Sequence, residues 1–158
     1  MAPMRPADIL DASKIVLGIG RALSKKEVVN LLVATALGNN APVRAALAEE
    51  LLAREAKMTT GIGRGVAIPH TRAKEVERPV AALGVSREGV DFGAIDEEPV
   101  RIMFVFIMPE TDPALHIKML GEAVTLFGEQ RVREAIIGAG SPQEVMEIIR
   151  RESPAASD

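Results

Sequence analysis

The 158 residues contain no cysteine, no tryptophan and no tyrosine, and only two histidines. Without cysteine the chain can form no disulfide, no thiolate nucleophile and no thiolate metal site. That absence fits a reducing compartment. With no tryptophan or tyrosine and only four phenylalanines, the core must be built from Leu, Ile, Val, Ala and Met. There is no basic excess either. The formal net charge is −3, which argues against a nucleic-acid grip, since that needs a cationic stripe to displace counterions. Long apolar runs are missing too. The most apolar stretch, VRIMFVFIM at 100–108, falls short of the roughly 20 residues of a membrane-spanning helix and reads as a buried strand. The first residues, MAPMRPADILDASK, lack the apolar stretch of a signal peptide. The expectation is a soluble, cytoplasmic protein with no membrane insertion.

What is present is a rich aliphatic pattern. Hydrophobic residues make up 47% and charged residues 26%, ordinary values for one globular domain of this length. KIVLGI, with Val16 and Leu17, reads as a short strand. Ser24 and Glu27 form a capping box, in which the serine caps the first amides and the glutamate reaches back. Val28, Leu31, Leu32, Thr35 and Ala36 follow at helical spacing, and Gly38 is placed to end that helix. Asn40 caps a second helix with Pro42 in its first turn, and Val43, Leu47, Leu51 and Arg54 share one stripe. VAALGV at 80–85 and the apolar run at 100–108 read as strands, with SREGVDFGAIDEE between them as loop or hairpin. Asp112-Pro113 opens a helix bearing Ile117, Leu120, Val124 and Phe127. Val132 and Ile136 mark a short helix ended by Gly138 and Gly140. Ser141 and Glu144 form another capping box ahead of Val145, Ile148 and Ile149. The pattern predicts a single α/β domain: a mixed β-sheet sandwiched between helices, three layers, over 1–152, with 153–158 a disordered tail.

The stretch TGIGRGVAIPHTR at 60–72 concentrates the unusual residues. It is no dinucleotide fingerprint, because Val66 stands where the third glycine belongs, and no Gly-Lys-Ser/Thr follows to make a Walker loop. Such a turn either exposes backbone N–H groups that cradle a phosphate or simply needs positive φ. Pro69 fixes its own φ and biases Ile68 toward extended backbone, so His70 has little freedom. An imidazole there is a nucleophile, a general base or a ligand, or else an ordinary loop histidine. His116 sits near the edge of an apolar helix face, close to a helix N-terminus that favours its neutral form; the alternative is a satisfied, half-buried histidine. Arg54 ends an apolar stripe at a helix C-terminus, where a solvated cation is also favourable. Two histidines 46 residues apart, with no HExxH pair, make a poor metal site, and the absence of GxSxG disfavours a serine hydrolase. No metal and no cofactor are called for.

TGIGRGVAIPH, followed by DPALHIKML after the strand VRIMFVFIMPE, resembles the fructose/mannitol-type enzyme IIA domain of the bacterial phosphoenolpyruvate phosphotransferase system. LLAREAKMTT upstream resembles the same family, and the likeness runs from about Ile9 to Arg150. The resemblance implies a histidine phosphocarrier with a mixed sheet between helical layers. His70 matches the histidine phosphorylated on Nε2, Arg54 the active-site arginine and His116 the second active-site histidine. Thr60, Gly61, Gly63 and Gly65 would offer further donors to the phosphoryl group, an inference from local chemistry. Met58-Thr59-Thr60 stands where the family often has a Gly-Ser-Thr-like run, and Arg64 adds a positive charge that would help dock an acidic phosphodonor.

Domains of this kind take phosphate from an HPr-type histidine carrier. With no cysteine, the chain carries no fused IIB domain of the usual type, and it carries no IIC segment. Such isolation resembles the nitrogen-regulatory branch, in which phosphorylation selects regulatory target proteins. The competing expectations are a metabolic subunit handing phosphate to a separate IIB protein for fructose- or mannitol-type uptake, and a binding module that works without phosphorylation.

Overall fold

The computed structural model describes residues 4–38, 41–57 and 61–153. Among them are a four-residue helix α1 (Pro6–Ile9), strand β1 (Ile15–Val16), helices α2 (Lys25–Leu37) and α3 (Ala41–Lys57), strands β2 (Gly61–Gly63), β3 (Val66–Ala67), β4 (His70–Ala73), β5 (Val80–Val90) and β6 (Val100–Pro109), and helices α4 (Pro113–Gly128), α5 (Gln130–Gly138) and α6 (Pro142–Glu152). The strands form one mixed sheet in the order β1-β5-β6-β3-β2, with β4 also paired to β6. β1 runs parallel to β5, β5 antiparallel to β6, and β2 antiparallel to β3.

β3 and β4 are one strand line with a break. Both lie parallel to β6 in the same register, Val66 opposite Ile102 and His70 opposite Phe106. Pro69 falls in the gap. It has no N–H for the ladder, but its carbonyl still accepts from the Phe106 N–H at 3.2 Å, so the line stays attached to β6. The proline therefore interrupts the strand without releasing it, and His70 opens the second segment.

From Ile102 to Met108 β6 is wholly apolar, because both of its faces are covered there. Ile102, Phe104, Phe106 and Met108 join the core beneath α4, α5 and α6, while Met103, Val105 and Ile107 join the core beneath α2 and α3. This is the three-layer α/β arrangement that the sequence pattern predicts. Gly84 shows why α2 lies so close to the sheet. A Cβ there would stand 2.7 Å from Ile19 Cδ1 and 3.1 Å from Leu32 Cδ1. For a larger residue, those side-chain tips would have to move aside.

The predicted caps hold: Ser24 Oγ accepts from the Glu27 N–H, Asp112 Oδ1 from the Leu115 N–H and Ser141 Oγ from the Glu144 N–H. Gly38 ends α2 at φ 69°. The Asn40 cap lies outside the described residues. Four expectations need correction. The buried face of α4 is Met119, Ala123, Leu126 and Phe127, whereas Ile117 is 71% and Val124 43% exposed; the helix is rotated so that these two face outward. On α2, Val28, Val29, Leu32, Val33 and Ala36 are buried, and Leu31 faces outward. The segment 86–90 is strand, not loop: β5 continues to Val90 past a register shift, where Ser86 Oγ accepts from the Gly89 N–H at 3.0 Å. Nor is Ser153 part of a frayed tail. It is buried, and its carbonyl accepts from Arg5 Nη1 at 2.6 Å. Residues 154–158 lie outside the described residues.

Candidate active site

β6 places Phe106 directly opposite His70, and the two rings stack, with centroids 5.2 Å apart and planes 13° from parallel. The first turn of α4, started by Asp112, brings His116 over the same spot. Its ring centroid is 5.1 Å from that of His70 and 5.3 Å from that of Phe106. The chain's two histidines thus converge on one phenylalanine at the end of β6, and this mutual packing follows from the sheet register and the cap.

The partner of His70 settles its tautomer. Nδ1 lies 2.5 Å from the Ile68 carbonyl oxygen, which can only accept, so Nδ1 carries the hydrogen and Nε2 carries the lone pair. Burial pushes the His70 pKa below the ordinary histidine value, the Ile68 carbonyl partly opposes that shift, and the Arg54 charge adds to it. His116 is pushed down to about 4, first by burial and then by His70, Arg72 and Arg54. Both rings are therefore neutral at pH 7. His116 Nδ1 is buried with no hydrogen-bond partner among the described residues.

Two arginines surround the pair. Arg54 is exposed near the C-terminal end of α3, and its charge is felt by both imidazoles. α3 is tied to β4 next to His70: buried Thr71 donates from Oγ1 to Glu50 Oε1 at 3.0 Å. Glu50 and Arg54 are one helical turn apart on the same face. That link holds the Arg54 face of α3 toward the strand that bears His70. Arg72 is exposed, two residues beyond His70 on the same face of β4, and its charge depresses His116. Sequence reasoning passed over Arg72. Strand periodicity after Pro69 would have found it, because residue i+2 shares the face of residue i. Neither arginine has an ion-pair partner among the described residues.

The glycine turn takes a different place from the one expected. Arg64 and Gly65 are the two central residues of the β2–β3 hairpin, at φ 60° and 78°, the combination of a type I′ turn. The Arg64 N–H donates to Asp96 Oδ2 at 3.0 Å, and the Gly65 carbonyl accepts from the N–H groups of Arg101 and Ile102 at 2.8 and 2.9 Å. Val66, next to the turn, is four residues back from His70 along β6, about 13 Å at strand rise. Gly63 and Gly65 are thus not brought to the imidazole, and Arg64 is at the far end with them. The sheet register decides this: the turn fixes the hairpin, and only the strand beyond it reaches the site. Gly61 pairs with Ala67 nearer the site, and Thr60 lies outside the described residues.

With this geometry in hand, residues 8–152 match the family described as "Phosphoenolpyruvate-dependent sugar phosphotransferase system, EIIA 2". The chain belongs to this family. Both fructose-specific and nitrogen-regulatory proteins are among its relatives. A PTS system fructose-specific EIIA component from Haloferax volcanii is 34% identical over 106 residues, 67% of this chain and 69% of that protein. A nitrogen regulatory protein from Bradyrhizobium diazoefficiens is 28% identical over 144 residues, 91% of this chain and 94% of that protein. Among solved structures, the nitrogen regulatory protein IIA-Ntr from Neisseria meningitidis superposes with a TM-score of 0.80 at 32% identity, covering 91% of this chain and 98% of that one. Membership implies phosphotransferase activity in general. Among the described residues, no helix is long and apolar enough to cross a membrane.

Proposed function

We propose that His70 accepts a phosphoryl group on Nε2 from an HPr-type phosphohistidine carrier in the cytoplasm, and that the phosphorylated protein acts as a regulator of partner proteins. The supporting observation is the Nδ1–Ile68 carbonyl contact, which leaves the lone pair on Nε2 in a neutral ring. Nε2 attacks phosphorus in line, the carrier's N–P bond breaks, and its electron pair returns to the carrier's imidazole. No base is needed, since the Nδ1 hydrogen stays on the ring. The ring gains positive charge as the N–P bond forms, and the Ile68 carbonyl is already placed to stabilise it. Arg54 supplies guanidinium donors to the phosphoryl oxygens, and His116 a hydrogen bond. Phosphorylation adds about −1.5 to −2 charges against His116, whose chain neighbour Ile117 is exposed, enough to change which surfaces dock there.

The test is phosphate transfer from phosphoenolpyruvate through enzyme I and an HPr-type carrier. Acid-labile phosphate is expected on the wild-type chain and none on His70→Ala. Equal labelling of both, or none on either while each is folded, overturns the reading; the second result turns it toward a module that binds without phosphorylation. A second reading is favoured by the fructose-specific relative: a metabolic subunit that passes phosphate to a separate IIB protein. Rapid transfer to a purified IIB cysteine would support that role. Phosphate-dependent binding to a regulator, without such transfer, would support the first.

A further inference from the structure

α3 ends in a residue that helix electrostatics disfavours. Glu55 lies in the last turn, where a negative charge faces the negative end of the helix dipole, and its side chain is only 2% exposed. It forms an ion pair with the ammonium of Lys25, the first residue of α2. That ammonium also donates to the Phe92 carbonyl at 2.9 Å and stands 5.3 Å from the centroid of the Phe92 ring. One cation therefore gathers the end of α3, the start of α2 and the segment leaving β5. Burying two charges contributes little net stability, because desolvation offsets their attraction, and an apolar pair would hold the helices as well. What the ion pair adds is direction, since it fixes the rotation of the last turn of α3. Arg54 precedes Glu55 by one residue, about 100° around the helix. Holding Glu55 inward sets Arg54 at the outer edge of α3, on the face that Glu50 ties to Thr71.

We propose that the Lys25–Glu55 pair positions Arg54 for the phosphoryl group on His70. The pair also occupies the carboxylate next to Arg54, so that the guanidinium is left for phosphate. The proposal rests on the reading that Arg54 stabilises phosphoryl transfer, and it acts through Arg54 rather than on substrate.

A double-mutant cycle on the full chain tests it, with the rate of phosphoryl transfer from a phosphorylated HPr-type carrier as readout at saturating and at low carrier concentration. Glu55→Gln slows transfer at saturation about tenfold, the size of one lost positioning interaction. In an Arg54→Ala background the same change has no further effect. Lys25→Met reproduces the slowing, and Lys25→Arg, which keeps the cation, restores most of the rate. Equal slowing by Glu55→Gln with and without Arg54 overturns the proposal, because the carboxylate would then act on His70 directly. An undiminished rate in folded Glu55→Gln overturns it too. Should Glu55→Gln fail to fold, the Lys25 pair decides: equal rates for Lys25→Met and Lys25→Arg sink the proposal, and a gap of several-fold sustains it. The underlying reading fails in a separate way. Arg54→Ala transferring at the wild-type rate, or a wild-type chain that takes no phosphate, removes the role of Arg54 and the proposal with it.

Discussion

Protonating His116 offers a direct test of the site's electrostatics, and its size follows from the structure. The folded ring titrates at about 4 instead of 6.5, chiefly because it is packed against His70 and Phe106. Between those two values the unfolded chain binds a proton that the folded chain refuses. Stability from the neutral ring is therefore complete above pH 6.5 and falls as pH drops toward 4. The full shift corresponds to roughly 3 kcal/mol. The ring is partly open to water, and screening reduces the figure to about 1–2 kcal/mol. Urea unfolding of the wild type and His116→Gln at pH 7.5 and pH 4 measures it. The carboxylates that also lose stability in acid, such as Asp8 and Asp11, are common to both proteins. The wild type should thus lose about 1–2 kcal/mol more than the variant over that interval, with equal urea slopes. Proton NMR gives the companion reading, a His116 midpoint near 4. A midpoint at or above 6.5, or identical acid losses in the two proteins, would refute the picture of a neutral ring held by burial. Phosphorylation of His70 should move the His116 midpoint upward, because a dianion beside the ring favours its cation.

Two further outcomes test other parts of the structure. Arg72→Gln should raise the His116 midpoint modestly, by removing a cation that depresses it, and should slow phosphoryl transfer less than Arg54→Ala does; an unmoved midpoint in NMR would place Arg72 away from the site. Gly84→Ala should cost about 1–3 kcal/mol in thermal unfolding, since its methyl meets Ile19 and Leu32, while the rate of phosphorylation stays at wild type; a stability unchanged within about 0.5 kcal/mol would mean that α2 is not held so closely to β5.

The sequence disclosed most where structure is local. The capping box at Ser24 and the caps at Asp112 and Ser141 depend on residues three apart and formed as read, except that Glu144 reaches back to the Gly140 N–H instead of the Ser141 N–H. The apolar run of β6 is legible for the same reason: a strand covered on both faces needs no alternation. The face of α4 was not legible. Ile117 and Val124 keep helical spacing as well as Met119 and Ala123 do, and only the sheet beneath decides which pair is buried. The residues of the site divide along the same line. Arg54, His70 and His116 stand at separations that a motif can carry, so the sequence could nominate them as candidates. That the two histidines share Phe106 is a matter of register between β4 and β6, which no local pattern contains.

The glycine-rich stretch marks the limit most clearly. In sequence it touches His70, and proximity along the chain suggested that its amides would meet the same phosphate. The sheet separates them. The turn spends its donor at Arg64 on Asp96 and its carbonyl at Gly65 on the start of β6, about 13 Å of strand from the imidazole. Its effect on His70 is therefore mechanical. By locking the β2–β3 hairpin onto β6 at Val66 and Ala67, it fixes the register of the line that Pro69 interrupts, and that register puts His70 on Phe106. The glycines build the track, the proline sets where it breaks, and the His70 ring takes its direction from the Ile68 carbonyl just before the break.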